Sequence, residues 1–162
     1  MNRDQSCETH REPSVIQQLG PDDGALLLDL MTVFEAAFED PATYGTARPR
    51  ESYLKSLLGS NSFVAFVAMC QGTVIGGLTA YILPKPEQER SEIYIYDLAV
   101  AATHRRRSVA TSLIQGLLEF GRQAGAYVAF IQADREDAPA IALYEKLGSR
   151  EEVFHFDFEV RL

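Results

Sequence analysis

The chain has 162 residues, 46% of them hydrophobic and 23% charged, which suits one globular domain with its own core and no disulfide framework. No apolar run has the length of a membrane span, and the first residues lack the basic-then-apolar layout of a secretory signal, so a cytoplasmic protein with no membrane partner is expected. A formal net charge of −8 argues against nucleic acid, which needs a basic face, and suits a cationic ligand drawn in by a negative surface.

Residues 1–12 read as a loose polar leader, with a single domain expected over 13–162. Residues 15–19 suit a short strand. Pro21-Asp22-Asp23 marks a helix start, with acids near the positive end of the helix. Leu26, Leu27, Leu30, Met31, Phe34, Ala37 and Phe38 then recur at helical spacing, and Asp40-Pro41 ends the run. Residues 42–50 form a loop, a candidate lid carrying Tyr44 beside Asp40, and 51–58 a second helix. Residues 63–70 and 73–83 make a hairpin about Gln71-Gly72, and 92–100 a third strand rich in Ile and Tyr. The period then changes. Val109, Leu113 and Leu117 recur every four residues, as do Ala110, Ile114 and Leu118, predicting an amphipathic helix to about residue 124. A strand over 127–133, a helix over 137–147 and a last strand through Val153, Phe154, Phe156, Phe158 and Val160 complete a mixed α+β layout around one sheet.

Cys7 and Cys70 read as reduced thiols. His10, His104 and His155 are scattered without partners at ligand spacing, so no metal site is expected.

The most informative stretch joins Tyr96-Asp97-Leu98-Ala99-Val100 to His104-Arg105-Arg106-Arg107-Ser108-Val109-Ala110-Thr111. A strand ends, a cationic turn follows, and an amphipathic helix begins. Backbone N–H groups at a helix start lack partners and the helix dipole adds positive character, which is what a pyrophosphate needs. The plain alternative is a basic surface loop.

This strand, arginine-rich turn and helix resemble the acetyl-CoA-binding motif of the GNAT superfamily of N-acetyltransferases, Gln/Arg-x-x-Gly-x-Gly/Ala, over Arg105 to Ala110. Ala140-Ile141-Ala142-Leu143-Tyr144-Glu145-Lys146-Leu147-Gly148 is similar to the family's Ala-x-x-Leu-Tyr-x-Lys-x-Gly helix. The resemblance implies a GNAT-type acyl-CoA N-acyltransferase fold, a central mixed sheet flanked by about four helices, and acetyl-CoA as cosubstrate. It implies coenzyme contacts at Leu98, Ala99, Val100, Arg105, Arg106, Arg107, Ser108, Val109, Ala110, Thr111, Asp137 and Ala140. The strand end would pair with pantetheine amides as an added strand does. Ser108 departs from the motif, which has glycine there, and the expectation is weakened or shifted coenzyme binding rather than none.

A narrower set, Leu83-Pro84-Lys85, the run from Ser91 to Val100, Gln132-Ala133-Asp134 and Arg150-Glu151-Glu152-Val153, resembles the class I aminoglycoside 3-N-acetyltransferases, the gentamicin-resistance enzymes. That resemblance implies acetylation of the 3-amino group of a deoxystreptamine ring. A polyamine, peptide or metabolite amine is the alternative acceptor, and a CoA-binding sensor without turnover the alternative class. A homodimer is plausible for the family.

An amine attacks the thioester when neutral, so a base must take its proton. Asp97 is the first candidate, an acid in a run of Ile, Tyr, Leu and Ala, where an unpaired charge is costly; the alternative is a salt-bridged structural acid. Glu92, five residues earlier, is second, and regular strand alternation puts it on the opposite face. Tyr144 is the candidate proton donor to the departing thiolate, as the family implies, or else a core aromatic. Tyr96, Asp134, Glu152, Glu92 and Asp97 are the candidate contacts to a cationic acceptor, Asp134 because it ends a strand where ligands gather.

Overall fold

Leu27, Leu30 and Phe34 lie three and four residues apart and are the buried face of a helix, α1 (Gly24–Phe38), in the computed structural model, which describes residues 14–46 and 48–160. The leader over 1–12, with Cys7 and His10, lies outside the described residues. In chain order, β1 (Val15–Gln18) precedes α1, and α2 (Pro41–Tyr44) and α3 (Glu51–Leu58) follow it. Then come β2 (Phe63–Cys70), β3 (Thr73–Pro84), β4 (Ser91–Val100), a 3₁₀ turn (Ala102–His104), α4 (Val109–Gln123), β5 (Ala126–Ile131) and α5 (Ala138–Tyr144).

The chain divides into two compact units, one ending at Ile131 and one spanning Gln132–Leu162. The first holds a five-stranded sheet in the order β1-β2-β3-β4-β5. Neighbours are antiparallel except β4 and β5, which run parallel with α4 as the crossover. Gln71 and Gly72 join β2 to β3 with φ of 50° and 78°, the pair of positive values that a tight two-residue hairpin turn demands.

Two apolar layers sandwich the sheet. Leu113 and Leu117 of α4 pack with Phe66, Leu78 and Ile93 on one face. Leu30 and Phe34 of α1 and Leu54 of α3 pack with Ala65 and Val67 on the other. Gly77 is where α1 comes closest: a Cβ there would sit 2.5 Å from the Phe66 carbonyl oxygen and 2.6 Å from the Leu30 side chain.

The mixed sheet agrees with the sequence reading, with two corrections. Residues 41–44 form a turn of helix rather than loop, because Asp40 accepts from the Thr43 N–H at 3.0 Å and Pro41 opens the helix. Residues 151–160 carry no strand. Their alternating pattern suits a strand, but a ladder needs a neighbour, and among the described residues their own unit holds one regular element, α5.

Candidate active site

Regular alternation would separate Asp97 from Glu92, but β4 is not regular. Asp97 pairs with Thr79 and Ile95 with Ala80, so Tyr96 is the extra residue of a β-bulge. Ahead of the bulge, Ile93 and Ile95 face α4; behind it, Leu98 and Val100 do. The parity change turns Asp97 onto the α1 face, the same face as Glu92, which corrects the sequence expectation.

On that face Asp97 is half-buried and both its oxygens are engaged. The Tyr44 hydroxyl donates to Oδ1 at 2.7 Å and the Thr79 hydroxyl to Oδ2 at 3.0 Å. Thr79 is itself buried. Tyr44 reaches Asp97 from α2, its ring braced by Phe34 at 5.8 Å and Phe38 at 5.6 Å. Burial, then the Asp97 carboxylate, pushes the Tyr44 phenol far above its ordinary value, so it is a hydrogen-bond donor at neutral pH. Thr79 was not singled out from the sequence. It comes from the neighbouring strand, and cross-strand register leaves no local signal.

Glu92 is elsewhere. Five residues back along β4, roughly 15 Å, it pairs with Lys85 at 3.3 Å and accepts from the Tyr127 hydroxyl. The Tyr127 hydroxyl first, and Lys85 after it, hold the Glu92 carboxyl below the usual carboxylate range. Glu92 is therefore a member of an ion-paired cluster at the start of β4 and is not brought to Asp97. Tyr96 stands beside Asp97 and is 60% exposed.

Pairing between β4 and β5 ends at Ile95 and Ile131, while β4 runs on to Val100. The β5-side edge of Leu98, Ala99 and Val100 thus extends past the parallel ladder, and an extended, amide-bearing ligand fits such an edge. Beyond it, the Arg105 Nε donates to the Val100 carbonyl at 3.1 Å, which ties the turn back to the strand. Arg106 and Ser108 have φ of 61° and 63°, left-handed backbone that reverses the chain sharply into α4. Ser112 N–H is bonded back to the Ser108 carbonyl, so the amides of Val109, Ala110 and Thr111 precede the helical ladder. Ser108 makes no side-chain cap, and Arg106 and Arg107 are exposed. Two exposed guanidiniums beside helix-start amides are a donor set that fits a diphosphate.

The remaining candidates lie in the second unit. Asp137 caps α5, accepting from the Ala140 N–H at 3.1 Å, so both residues are committed to the helix start. Glu152 pairs with Arg150, which also holds Glu145 at 3.2 Å. Asp134 is exposed, and its carbonyl accepts from the Asp137 N–H at 3.0 Å. Burial pushes the Tyr144 phenol up to about 12, with Asp137 adding to the shift. Among the described residues, no group of three or more His, Cys, Asp or Glu side chains is placed to hold a metal ion, and no helix is long and apolar enough to cross a membrane.

Residues 27–149 match the acetyltransferase (GNAT) family. Among solved structures, an aminoglycoside acetyltransferase (HMB0005) from an uncultured soil metagenomic sample is 55% identical, with a TM-score of 0.91, covering 93% of this chain and 100% of that one. A second soil metagenomic aminoglycoside acetyltransferase, meta-AAC0020, solved in complex with sisomicin, is 31% identical with a TM-score of 0.84, covering 91% of this chain and 97% of that one. N-acetyltransferase 8 of Homo sapiens is 27% identical over 94 residues, 58% of this chain but 41% of that protein's length. The chain belongs to the GNAT family of acetyltransferases, which use acetyl-CoA as the acetyl donor.

Proposed function

We propose that this protein acetylates an amine of an aminoglycoside, the 3-amino group of a deoxystreptamine ring, and thereby confers resistance to gentamicin-like antibiotics. The observation that carries the reading is the half-buried Asp97 carboxylate, fixed by Tyr44 and Thr79 on the α1 face of β4. It is supported by the similarity, over nearly the whole chain, to an aminoglycoside acetyltransferase.

Acetyl-CoA supplies an acetyl group already activated as a thioester. The residues of this chain do the rest. The amides of Val109, Ala110 and Thr111, with Arg106 and Arg107, hold the diphosphate, and the edge of Leu98, Ala99 and Val100 receives the pantetheine amides. One N–H of that edge polarises the thioester carbonyl. Asp97 attracts the acceptor's ammonium group and takes its proton, freeing the nitrogen lone pair for attack. Two hydrogen bonds keep the carboxylate in one orientation while it does so. By its resemblance to the family's helix, Tyr144 is the residue that would supply the proton taken up by the departing sulfur. Its phenol, at about 12, stays protonated across the working range. The site works in the cytoplasm.

The curated N-acetyltransferases match this chain over less than half of their own length, and a second reading keeps the acetyl transfer with a polyamine, peptide or metabolite amine as the acceptor. A panel of gentamicin, spermidine and peptide amines, followed by thiol release from acetyl-CoA, separates the two. Turnover with gentamicin far above the others is expected. Preference for spermidine or a peptide would replace the aminoglycoside by that acceptor, and CoA binding without any thiol release would leave a sensor.

A further inference from the structure

The mechanism uses one side chain of β4's α1 face, but that face carries much more. Phe63 of β2 meets Tyr81 of β3 at 5.4 Å between ring centroids. Tyr81 meets Tyr96 at 5.8 Å, Tyr96 meets Tyr94 at 5.7 Å, and Tyr94 stacks on Phe130 of β5 at 5.0 Å. The rings form an unbroken strip across four neighbouring strands, and the bulge residue Tyr96 stands at its middle. Phe63 is buried and anchors one end, whereas Tyr81, Tyr96 and Phe130 are exposed by 38%, 60% and 39%.

A buried core does not need three tyrosines in an edge-linked row, two of which, Tyr81 and Tyr96, are exposed. Tyrosine faces attract cations and pack against the C–H faces of saccharide rings, and their hydroxyls donate and accept. Each step of the strip is about as wide as one six-membered ring, so a ligand of several linked rings can lie along it. The strip also abuts Asp97, the next residue after Tyr96, which places a carboxylate beside the aromatic faces. Aromatic faces and one fixed carboxylate together select a cation-bearing polyol over a neutral sugar or an apolar ligand. The chain's net charge of −8 has the matching sign.

We infer that Tyr81, Tyr96, Tyr94 and Phe130 are the platform on which the linked rings of a cationic acceptor lie, with Tyr96 and Tyr94 setting the preference for multi-ring over single-ring amines. The inference rests on the aminoglycoside reading and goes beyond it by naming the residues that read the rings distant from the reacting nitrogen. Burial raises the Tyr81 and Tyr94 phenols above their ordinary value, so these two rings add no anions of their own at neutral pH.

The test is calorimetric titration of sisomicin, and separately of 2-deoxystreptamine, into protein held with CoA, for wild type, Tyr96→Leu, Tyr94→Leu and Tyr96→Phe. The Leu variants are expected to bind sisomicin about 3- to 30-fold more weakly, the scale of cation–π contact, with a smaller loss for 2-deoxystreptamine. Tyr96→Phe keeps the ring face and is expected to stay within about threefold of wild type. Tyr96 is mostly solvent-exposed, so its replacement leaves the core intact. A second readout needs no variant. The chain has seven Tyr and no Trp, so sisomicin is expected to perturb the tyrosine ultraviolet spectrum of the wild-type complex. Wild type that binds sisomicin with no such perturbation, with both Leu variants unchanged, overturns the platform and leaves the acceptor class standing. A Tyr96→Phe variant as weak as Tyr96→Leu also overturns it, because a hydroxyl contact would then replace the ring face. Wild type that binds neither compound overturns the acceptor class, and the platform with it.

Discussion

Asp97 accepts from Tyr44 at 2.7 Å and from Thr79 at 3.0 Å, so its geometry is set by two residues distant in sequence. If Asp97 removes the amine proton, Asp97→Asn keeps acetyl-CoA binding and lowers turnover roughly 10²–10⁴-fold. Steady-state rates together with a coenzyme titration check this, and near wild-type turnover would remove Asp97 from the role. Tyr44→Phe deletes one donor without emptying the space its ring fills between Phe34 and Phe38. A hydrogen bond to a charged group is worth about 1.5–3 kcal/mol, so kcat/KM for the amine is expected to fall at least tenfold or so while the KM for acetyl-CoA stays put. An equal loss in both parameters would point instead to a displaced helix. For Tyr144, with a phenol at about 12, the account expects Tyr144→Phe to slow turnover and the wild-type rate to show no falling limb from this group below about pH 10. A fully active Phe variant would leave the tyrosine a packing role.

At the scale of elements, some features were legible in the chain and others were not. Four-residue repeats gave α4, because burying one face of a helix is a local demand written in every turn. Gln71-Gly72 gave the hairpin, since few residues accept positive φ. The bulge at Tyr96 left no such mark. Register is decided by the partner strand, so the face on which Asp97 emerges could not be read from alternation within β4. The Phe-rich segment over 151–160 shows the converse: a period of two states what a strand would bury, not whether a neighbour is there to pair with it. Ser108 was legible as a departure from a glycine motif, and its φ of 63° supplies the physical reason, because a left-handed position strains any residue with a Cβ. Ser108→Gly is therefore expected to bind CoA as tightly as wild type or a few-fold more tightly. A large loss in a CoA titration would mean that the serine hydroxyl is itself a ligand for the coenzyme.

For the molecule as a whole, the fold follows from one sheet with an apolar layer on each face, and the chemistry from what each face leaves open. The α4 side and the end of β4 offer basic and amide groups, suited to an anionic coenzyme. The α1 side offers Asp97 and a row of tyrosines, suited to a cationic acceptor. Under the proposed function, these two chemically opposite surfaces let one acidic protein take an anionic coenzyme and a cationic acceptor. The most direct measurement is magnetic resonance of gentamicin after incubation with the protein and acetyl-CoA. The account predicts one added acetyl group, on the 3-amino nitrogen of the deoxystreptamine ring. Unmodified gentamicin, recovered from protein that binds CoA, would contradict it.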